Sequence, residues 1–342
     1  MPGVKDPAAA PLRILMSQPS IALLGAAVSR VMGAQPYELV AIDAAVALQR
    51  TDCDVAFISR EVTGASTKHQ IHPALQQLYD LLRHSPVLQW VHIHSAGADR
   101  QIYLDLRARG VQIATSSGAN AQVVATTALA GLLALARRFP VLWAEQQARQ
   151  WTPLLGDRMP RDLPGQTATI VGWGPIGQKL GSLLQALGLK VVAVRQRASA
   201  PPGGTADAVE HVTFENLRQV LPRTDWLILA CPLTDKTRQL VNASSLAALP
   251  QGAHLINVAR GEVVDQQALV SALQNGHLGG AFLDVFAHEP LQLDSPLWAM
   301  PQVMVTPHAA GHSDGNEQRV SQMFLDNLRR FVAGQPLLNV VR

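Results

Sequence analysis

The sequence predicts an α/β protein built from two parallel-sheet domains with a cleft between them. Aliphatic, strand-like runs alternate with helical stretches along most of the chain, which implies parallel sheets covered by helices. A glycine turn, Gly172-Trp173-Gly174-Pro175-Ile176-Gly177, stands near the head of the second of two such series. The 342 residues are enough for two domains, each with its own core.

In the first series, residues 13–16 read as a strand, 21–32 as a helix and 55–58 as a strand ending at Ser59. A helix over 75–83, a strand over 90–93 and the turn Ser95-Ala96-Gly97-Ala98 follow, with Asp99 placed to cap the next helix. Residues 120–138 form a long Ala/Leu-rich helix, apolar on most sides and therefore buried between domains or in a subunit interface. The proline- and glycine-rich stretch 150–165 is a loop. The second series has strands at 167–171, 191–194, 226–230, 254–257 and 281–283, a helix over 178–187 and a surface loop at Pro201-Pro202-Gly203-Gly204. A final helix over 316–333 is expected to return to the first domain and make it discontinuous.

Composition excludes several classes. Charged residues make up only 15% of the chain, the formal net charge is +3, and the arginines form no basic run, so no nucleic-acid partner is expected. The Pro/Ala-rich start, residues 1–11, lacks the pattern of a signal peptide, and the longest apolar stretches, such as 125–136, are too short to cross a bilayer. Two cysteines, Cys53 and Cys231, lie far apart and outside any C-x-x-C pattern, which favours a reduced, cytoplasmic protein. His92 and His94 alternate along a strand without a carboxylate or cysteine cluster, so no metal is expected.

The turn at 172–177 follows an apolar strand and opens a helix. Gly172 allows the tight turn, Gly174 lets a pyrophosphate approach the backbone, and Gly177 lets the helix pack close to the strand. At the end of the next strand, an acidic residue would bind the ribose 2′-hydroxyl of NAD. This chain has Arg195-Gln196-Arg197 instead, two guanidinium groups able to pair with a 2′-phosphate, which predicts NADP over NAD.

Three later segments supply, in a fixed order, an arginine (Arg260), a carboxylate (Glu289) and a histidine (His308): Asn257-Val258-Ala259-Arg260-Gly261, Asp284-Val285-Phe286-Ala287-His288-Glu289-Pro290 and Thr306-Pro307-His308. An always-charged guanidinium, a carboxylate able to orient an imidazole, and the imidazole itself are what hydride transfer to a 2-keto acid needs. His288 and His312 read as structural or pocket-lining.

With Ser95-Ala96-Gly97-Ala98-Asp99, the glycine turn, Cys231-Pro232-Leu233-Thr234, the Arg260-Gly261 and Asp284-Val285-Phe286 segments, Pro296-Leu297-Trp298 and Pro307-His308, the chain resembles the D-2-hydroxyacid dehydrogenase family over nearly its whole length. Arg195 and Arg197 make it most similar to the glyoxylate/hydroxypyruvate reductase branch. The resemblance implies a flavodoxin-like substrate (catalytic) domain, residues 1–120 and 309–342, and a dinucleotide-binding Rossmann domain, residues 121–308. It implies His308 as general acid and base, Glu289 fixing its tautomer, and Arg260 gripping the substrate carboxylate with the backbone N–H groups of Ala96 and Gly97. It places Gly172, Gly174, Pro175, Ile176, Gly177, Arg195, Arg197, Cys231, Pro232, Val258, Ala259, Arg260, Asp284 and His308 around the cofactor. For Asp284 a helix-capping role, and for Cys231 an inert core role, are the alternatives. Val124-Ala125-Thr126 departs from the family, which commonly carries Glu after Val-Ala.

Three functions remain open at this point: NADP(H)-linked reduction of glyoxylate, hydroxypyruvate or a similar 2-keto acid; an NAD-dependent D-2-hydroxyacid dehydrogenase; and a dinucleotide-sensing, corepressor-like binding protein. A homodimer is expected through the apolar helix after Asn120 and the Trp143/Trp151 region.

Overall fold

Among the described residues the named strands pair with one another in parallel and fall into two sheets, with one isolated antiparallel bridge between Ala114 and Val340. The computed structural model describes residues 10–67, 69–196 and 209–341. The chain divides into two units, one running to Asn120 and resuming at Ser313, the other Ala121–His312.

The first unit runs β1 (Leu12–Met16), α1 (Gln18–Met32), β2 (Tyr37–Ala41), α2 (Ile42–Ala47), β3 (Val55–Ile58), α3 (Arg60–Thr63), α4 (Pro73–His84), β4 (Trp90–Ile93), α5 (Gln101–Ala108) and β5 (Gln112–Thr115). The strand order is β2-β1-β3-β4-β5, the flavodoxin-like arrangement. Helix α1 shows how locally the sequence dictates an element. Ser17 caps it by accepting the Ser20 N–H at 3.1 Å, Gly33 ends it at φ 57°, and Ser20, Leu24, Val28 and Met32 form its buried stripe at four-residue spacing.

The second unit runs α6 (Ala121–Ala136), α7 (Phe139–Gln147), β6 (Thr167–Val171), α8 (Pro175–Ala186), β7 (Lys190–Arg195), β8 (Glu210–Thr213), α9 (Leu217–Val220), β9 (Trp226–Leu229), α10 (Ala243–Ala247), β10 (Ala253–Asn257), α11 (Gln266–Gln274), β11 (Leu278–Leu283) and β12 (Val303–Val305). Its sheet is ordered β12-β11-β10-β9-β6-β7-β8, so the direction of growth reverses between β6 and β9. In such sheets ligands bind outside the carboxyl ends of the strands at that reversal. Apolar clusters fill both faces, Leu227, Leu255 and Leu283 on one and Ile170, Ile228 and Ile256 on the other. Strands buried on both faces explain the unbroken aliphatic runs.

The last helix, α12 (Asn316–Val332), belongs to the first unit and packs on α1. Phe324 stacks on Trp90 at 5.5 Å between centroids, and Asn327 reaches His92.

The structure corrects several local expectations. Asp99 does not cap α5: the backbone stays extended through Arg100, which takes the cap position without a side-chain bond, so the first turn begins one residue too late for the Asp99 carboxylate. Helix α8 begins at Pro175 rather than 178, because Gly174 serves as its cap and the fixed φ of proline suits a first turn. The apolar helix ends at Ala136, where Arg138 at φ 58° and Pro140 turn the chain into α7 at 68°. Helix α7 buries no residue, so it carries no apolar periodicity to be read. The loop at 201–204 lies outside the described residues. Among the described residues no single helix is long and apolar enough to cross a membrane, and the bent pair α6–α7 has Ala125, Ala128 and Leu132 of α6 in a core cluster.

Candidate active site

Strands β10, β11 and β12 are neighbours in register, Asn257 beside Leu283 and Leu283 beside Val305. The loops leaving their carboxyl ends carry Arg260, Asp284 with Glu289, and His308, so the topology brings three segments distant in sequence to one edge.

His308 sits at φ 53°, in the left-handed region that non-glycine residues seldom adopt. Its backbone N–H bonds the Asp284 carbonyl at 2.8 Å, and its Nδ1 lies 2.8 Å from Glu289 Oε2. A carboxylate only accepts, so Nδ1–H donates and Nε2 is left as the reactive nitrogen. Glu289 is itself held, its Oε1 accepting the Phe286 N–H at 3.1 Å. The imidazole is 48% exposed and the carboxylate 13%, a half-buried anchor under an accessible ring.

Asp284 organises the turn that carries His308. The buried carboxylate accepts Thr306 Oγ1 at 2.6 Å, the Ala309 N–H at 2.8 Å and the Ala310 N–H at 3.0 Å. Asp284 is thus a brace for residues 306–310. Three converging donors account for a carboxylate that is almost fully buried without a cation.

Arg260 is braced from the other side. Asn257 Oδ1 accepts the Ala259 N–H at 3.0 Å and its Nδ2 donates to the Arg260 carbonyl at 3.2 Å. Gly261 lies directly on the next loop, where a Cβ would fall 1.8 Å from the Phe286 carbonyl carbon. The arginine loop and the Glu289 loop are therefore in backbone contact. Thr306 and Asn257 as braces were not foreseen in the sequence; a polar residue at the end of an aliphatic strand was the available signal.

The glycine turn lies at the sheet's reversal point. Gly172, at φ 105°, bonds its N–H to Val194, and a Cβ there would fall 2.6 Å from Cys231 N. A Cβ on Gly177 would fall 2.1 Å from the Gly172 carbonyl oxygen, whereas nothing lies within 4 Å of one on Gly174. Gly174 and Pro175 are exposed, and Ile176 is half-buried. Two glycines are thus required by packing, and the third faces open space in front of the N-terminal turn of α8.

Arg195 ends β7, the strand beside β6, and is half-buried. Its charge, after burial, lowers the His211 pKa. Arg197 lies outside the described residues. Cys231 is buried and its thiol pKa is pushed up to about 12 by that burial, so it is unreactive, with the Arg260 charge near enough to oppose the shift. Val258 and Ala259 are buried beside Arg260, and Pro232 is exposed beside Cys231. Ala96 and Gly97 lie on the loop after β4 in the first unit, where Ser95 Oγ donates to the Gly97 carbonyl at 2.8 Å. Among the described residues no group of three or more His, Cys, Asp or Glu could hold a metal ion.

Residues 129–310 match the family described as D-isomer specific 2-hydroxyacid dehydrogenase, NAD binding domain. The chain is 32% identical over 302 residues to (S)-sulfolactate dehydrogenase of Chromohalobacter salexigens, covering 84% of this chain and 94% of that enzyme. It is 33% identical over 262 residues to glyoxylate/hydroxypyruvate reductase B of Escherichia fergusonii, covering 76% and 80%. The crystal structure of a D-isomer specific 2-hydroxyacid dehydrogenase from Xanthobacter autotrophicus Py2, in complex with NADPH and MES, superposes with a TM-score of 0.73 at 28% identity, covering 98% of both chains.

Proposed function

The chain belongs to the D-isomer specific 2-hydroxyacid dehydrogenase family and is an NAD(P)-dependent oxidoreductase; we propose that it is an NADP(H)-dependent reductase of small 2-keto acids of the glyoxylate/hydroxypyruvate class, with His308 as the proton donor. The observation that carries this reading is the 2.8 Å bond from His308 Nδ1 to Glu289, on loops adjoining that of Arg260.

The residues present fit a dinucleotide. Open space at Gly174 admits a pyrophosphate to the N-terminal turn of α8, and Arg195 stands at the end of the neighbouring strand. When bound, the cofactor supplies the hydride that is delivered to C2 of the keto acid. Arg260 holds the substrate carboxylate, and its planar guanidinium polarises the keto oxygen; in the first unit, the Ala96 and Gly97 N–H groups are candidate carboxylate donors. His308 Nε2 gives its proton to that oxygen and recovers one in the reverse direction. Proton transfer of this kind contributes about 10²–10⁴-fold. Cys231, Pro232, Val258, Ala259 and Asp284 border the cofactor, and Arg195 with Arg197 pairs with the 2′-phosphate.

The test is reduction of glyoxylate, hydroxypyruvate, pyruvate and 3-sulfopyruvate, the last added for the likeness to the sulfolactate enzyme. Oxidation of NADPH with a higher kcat/KM than NADH supports the proposal. A clear advantage for NADH leaves the NAD-dependent reading in its place. No turnover with any keto acid leaves the dinucleotide-sensing one.

A homodimer belongs to the same proposal. Phe139, Trp143, Trp151, Leu155 and Met159 are all more than half exposed within one 21-residue stretch, 139–159, and Trp151 is 97% exposed. Large apolar side chains left exposed in one stretch are what an interface between two copies would bury. Light scattering at the monomer mass would overturn it.

A further inference from the structure

The amino ends of the second sheet border a cavity of about 340 Å³, and all of its lining belongs to the second unit. Gln166 precedes β6, Asp225 precedes β9, Gln302 precedes β12, and His254 is the second residue of β10. The loops of Arg260, Glu289 and His308 leave the other ends of the same sheet. A five-residue strand such as β10 spans about 16 Å, so this cavity is separate from the candidate active site.

We propose that the cavity is a second ligand site, for a small organic monoanion: one carboxylate on an apolar body. It stands independently of the function proposed above.

The charges of the lining carry the first half. Two guanidinium groups, Arg138 and Arg161, and one carboxylate, Asp225, face the cavity. Asp225 is engaged on both oxygens, Oδ1 accepting Arg161 Nη1 at 2.8 Å and Oδ2 the Thr167 N–H at 2.9 Å. Arg138 is half-buried and has no hydrogen bond or ion pair among the described residues. One positive charge is therefore uncompensated, and one carboxylate matches it.

His254 adds a neutral donor. Its ring stacks on Trp226 at 4.4 Å between centroids and makes no hydrogen bond among the described residues. Burial, then the charges of Arg138 and Arg161, lowers its pKa to about 4, so the ring is neutral at pH 7 and keeps one N–H to donate. Gln166 is engaged, its Oε1 accepting Trp226 Nε1 at 2.6 Å and its Nε2 donating to the Asp162 carbonyl at 2.7 Å. Arg138 and His254 are thus the cation and the ring donor left to meet a ligand. Leu135, Val141, Met159 and Pro301 supply apolar wall, the mixture usual in small-molecule sites of this size.

Met159 also belongs to the stretch proposed to join two copies. The large exposed side chains of that stretch are apolar, so their entry into the cavity would leave its charge unmatched.

The experiment titrates benzoate, and its neutral counterpart benzamide, by calorimetry into the wild type, Arg138→Asn and Arg260→Gln. Asparagine suits the left-handed backbone of position 138, and the Arg260 variant lacks the proposed grip on carboxylates at the active site. Benzoate is expected to bind the wild type and Arg260→Gln with Kd below about 1 mM, at least about tenfold more tightly than benzamide. Arg138→Asn should weaken it at least about tenfold. The His254 ring resonances, assigned with His254→Gln, should move on adding benzoate to the wild type and to Arg260→Gln. No benzoate binding in Arg260→Gln, equal affinity in Arg138→Asn, or unmoved His254 resonances overturns the proposal. So does an affinity that falls as protein concentration rises, which would assign the cavity to a second copy of the chain.

Discussion

His308 Nδ1 and Glu289 Oε2 lie 2.8 Å apart across a 19-residue interval, and the other oxygen of the same carboxylate accepts the Phe286 N–H. Both oxygens of Glu289 are therefore acceptors in use. A glutamine at 289 has one acceptor and one donor, so it must face either the imidazole or the backbone with an N–H. Glu289→Gln is expected to lower kcat about 10²-fold with a KM change of less than about threefold. Steady-state kinetics with unchanged kcat would remove Glu289 from the mechanism.

Asp284 holds His308 through the backbone. Asp284→Ala strands the Thr306 hydroxyl and the Ala309 and Ala310 N–H groups, and its expected cost is about 3 kcal/mol in denaturant unfolding together with lost activity. A variant as stable as the wild type would show that the turn keeps its shape without the carboxylate.

The glycines of the turn should separate packing from binding. A methyl group on Gly172 meets Cys231 N at 2.6 Å in a left-handed backbone, whereas one on Gly174 meets nothing within 4 Å. Gly172→Ala is expected to lower Tm sharply. Gly174→Ala is expected to keep the Tm of the cofactor-free protein and weaken NADPH binding at least about tenfold, because the methyl occupies the pyrophosphate's approach. Calorimetry and thermal melts of both variants check this; equal NADPH affinity in Gly174→Ala would displace the cofactor from the turn.

Cofactor choice should turn on Arg195. Replacing it by aspartate removes a charge-assisted contact worth about 1.5–3 kcal/mol, so the NADPH-to-NADH ratio of kcat/KM is expected to fall about tenfold or more. An unaltered ratio would make Arg195 a solvated surface residue.

Two imidazoles, His92 fully buried and His254 half-buried, set the acid limit of stability. Burial lowers the His92 pKa to about 3, and burial, reinforced by Arg138 and Arg161, lowers that of His254 to about 4, each from 6.5. His92 is neutral by its contacts too, with Nδ1 facing the donor Asn327 Nδ2 and Nε2 at 3.1 Å from Ser116 Oγ. The unfolded chain binds these protons first, so their stability contribution is complete above pH 6.5. It is lost as pH falls from there toward 4 for His254 and toward 3 for His92, at about 1.4 kcal/mol per pH unit for each. Tm should fall between pH 6.5 and 5, and less steeply in His254→Gln; a flat Tm across that interval would contradict the assignment.

Much of this arrangement was legible in the chain because it depends on local rules. Strands buried on both faces must be aliphatic throughout, and a glycine turn between strand and helix follows from the close approach of Gly177 to Gly172. The elements that misled, the Asp99 cap, the start of α8 and the last turn of α6, are ends of helices, where a residue or two shifts a boundary at little energetic cost. Helix α7 was invisible because it buries nothing.

Residue types and their order, read alone, determined the α/β class and the glycine turn between strand and helix, and singled out Arg260, Glu289 and His308 as the candidates for carboxylate binding and proton transfer, since few side chains can perform those tasks. What holds that trio was decided only in three dimensions. The contact of Gly261 with Phe286, the three bonds onto Asp284 and the left-handed His308 join residues up to 26 apart, on loops brought side by side by β10, β11 and β12. No local propensity encodes such contacts, because each arises from the pairing of strands that the sequence keeps apart.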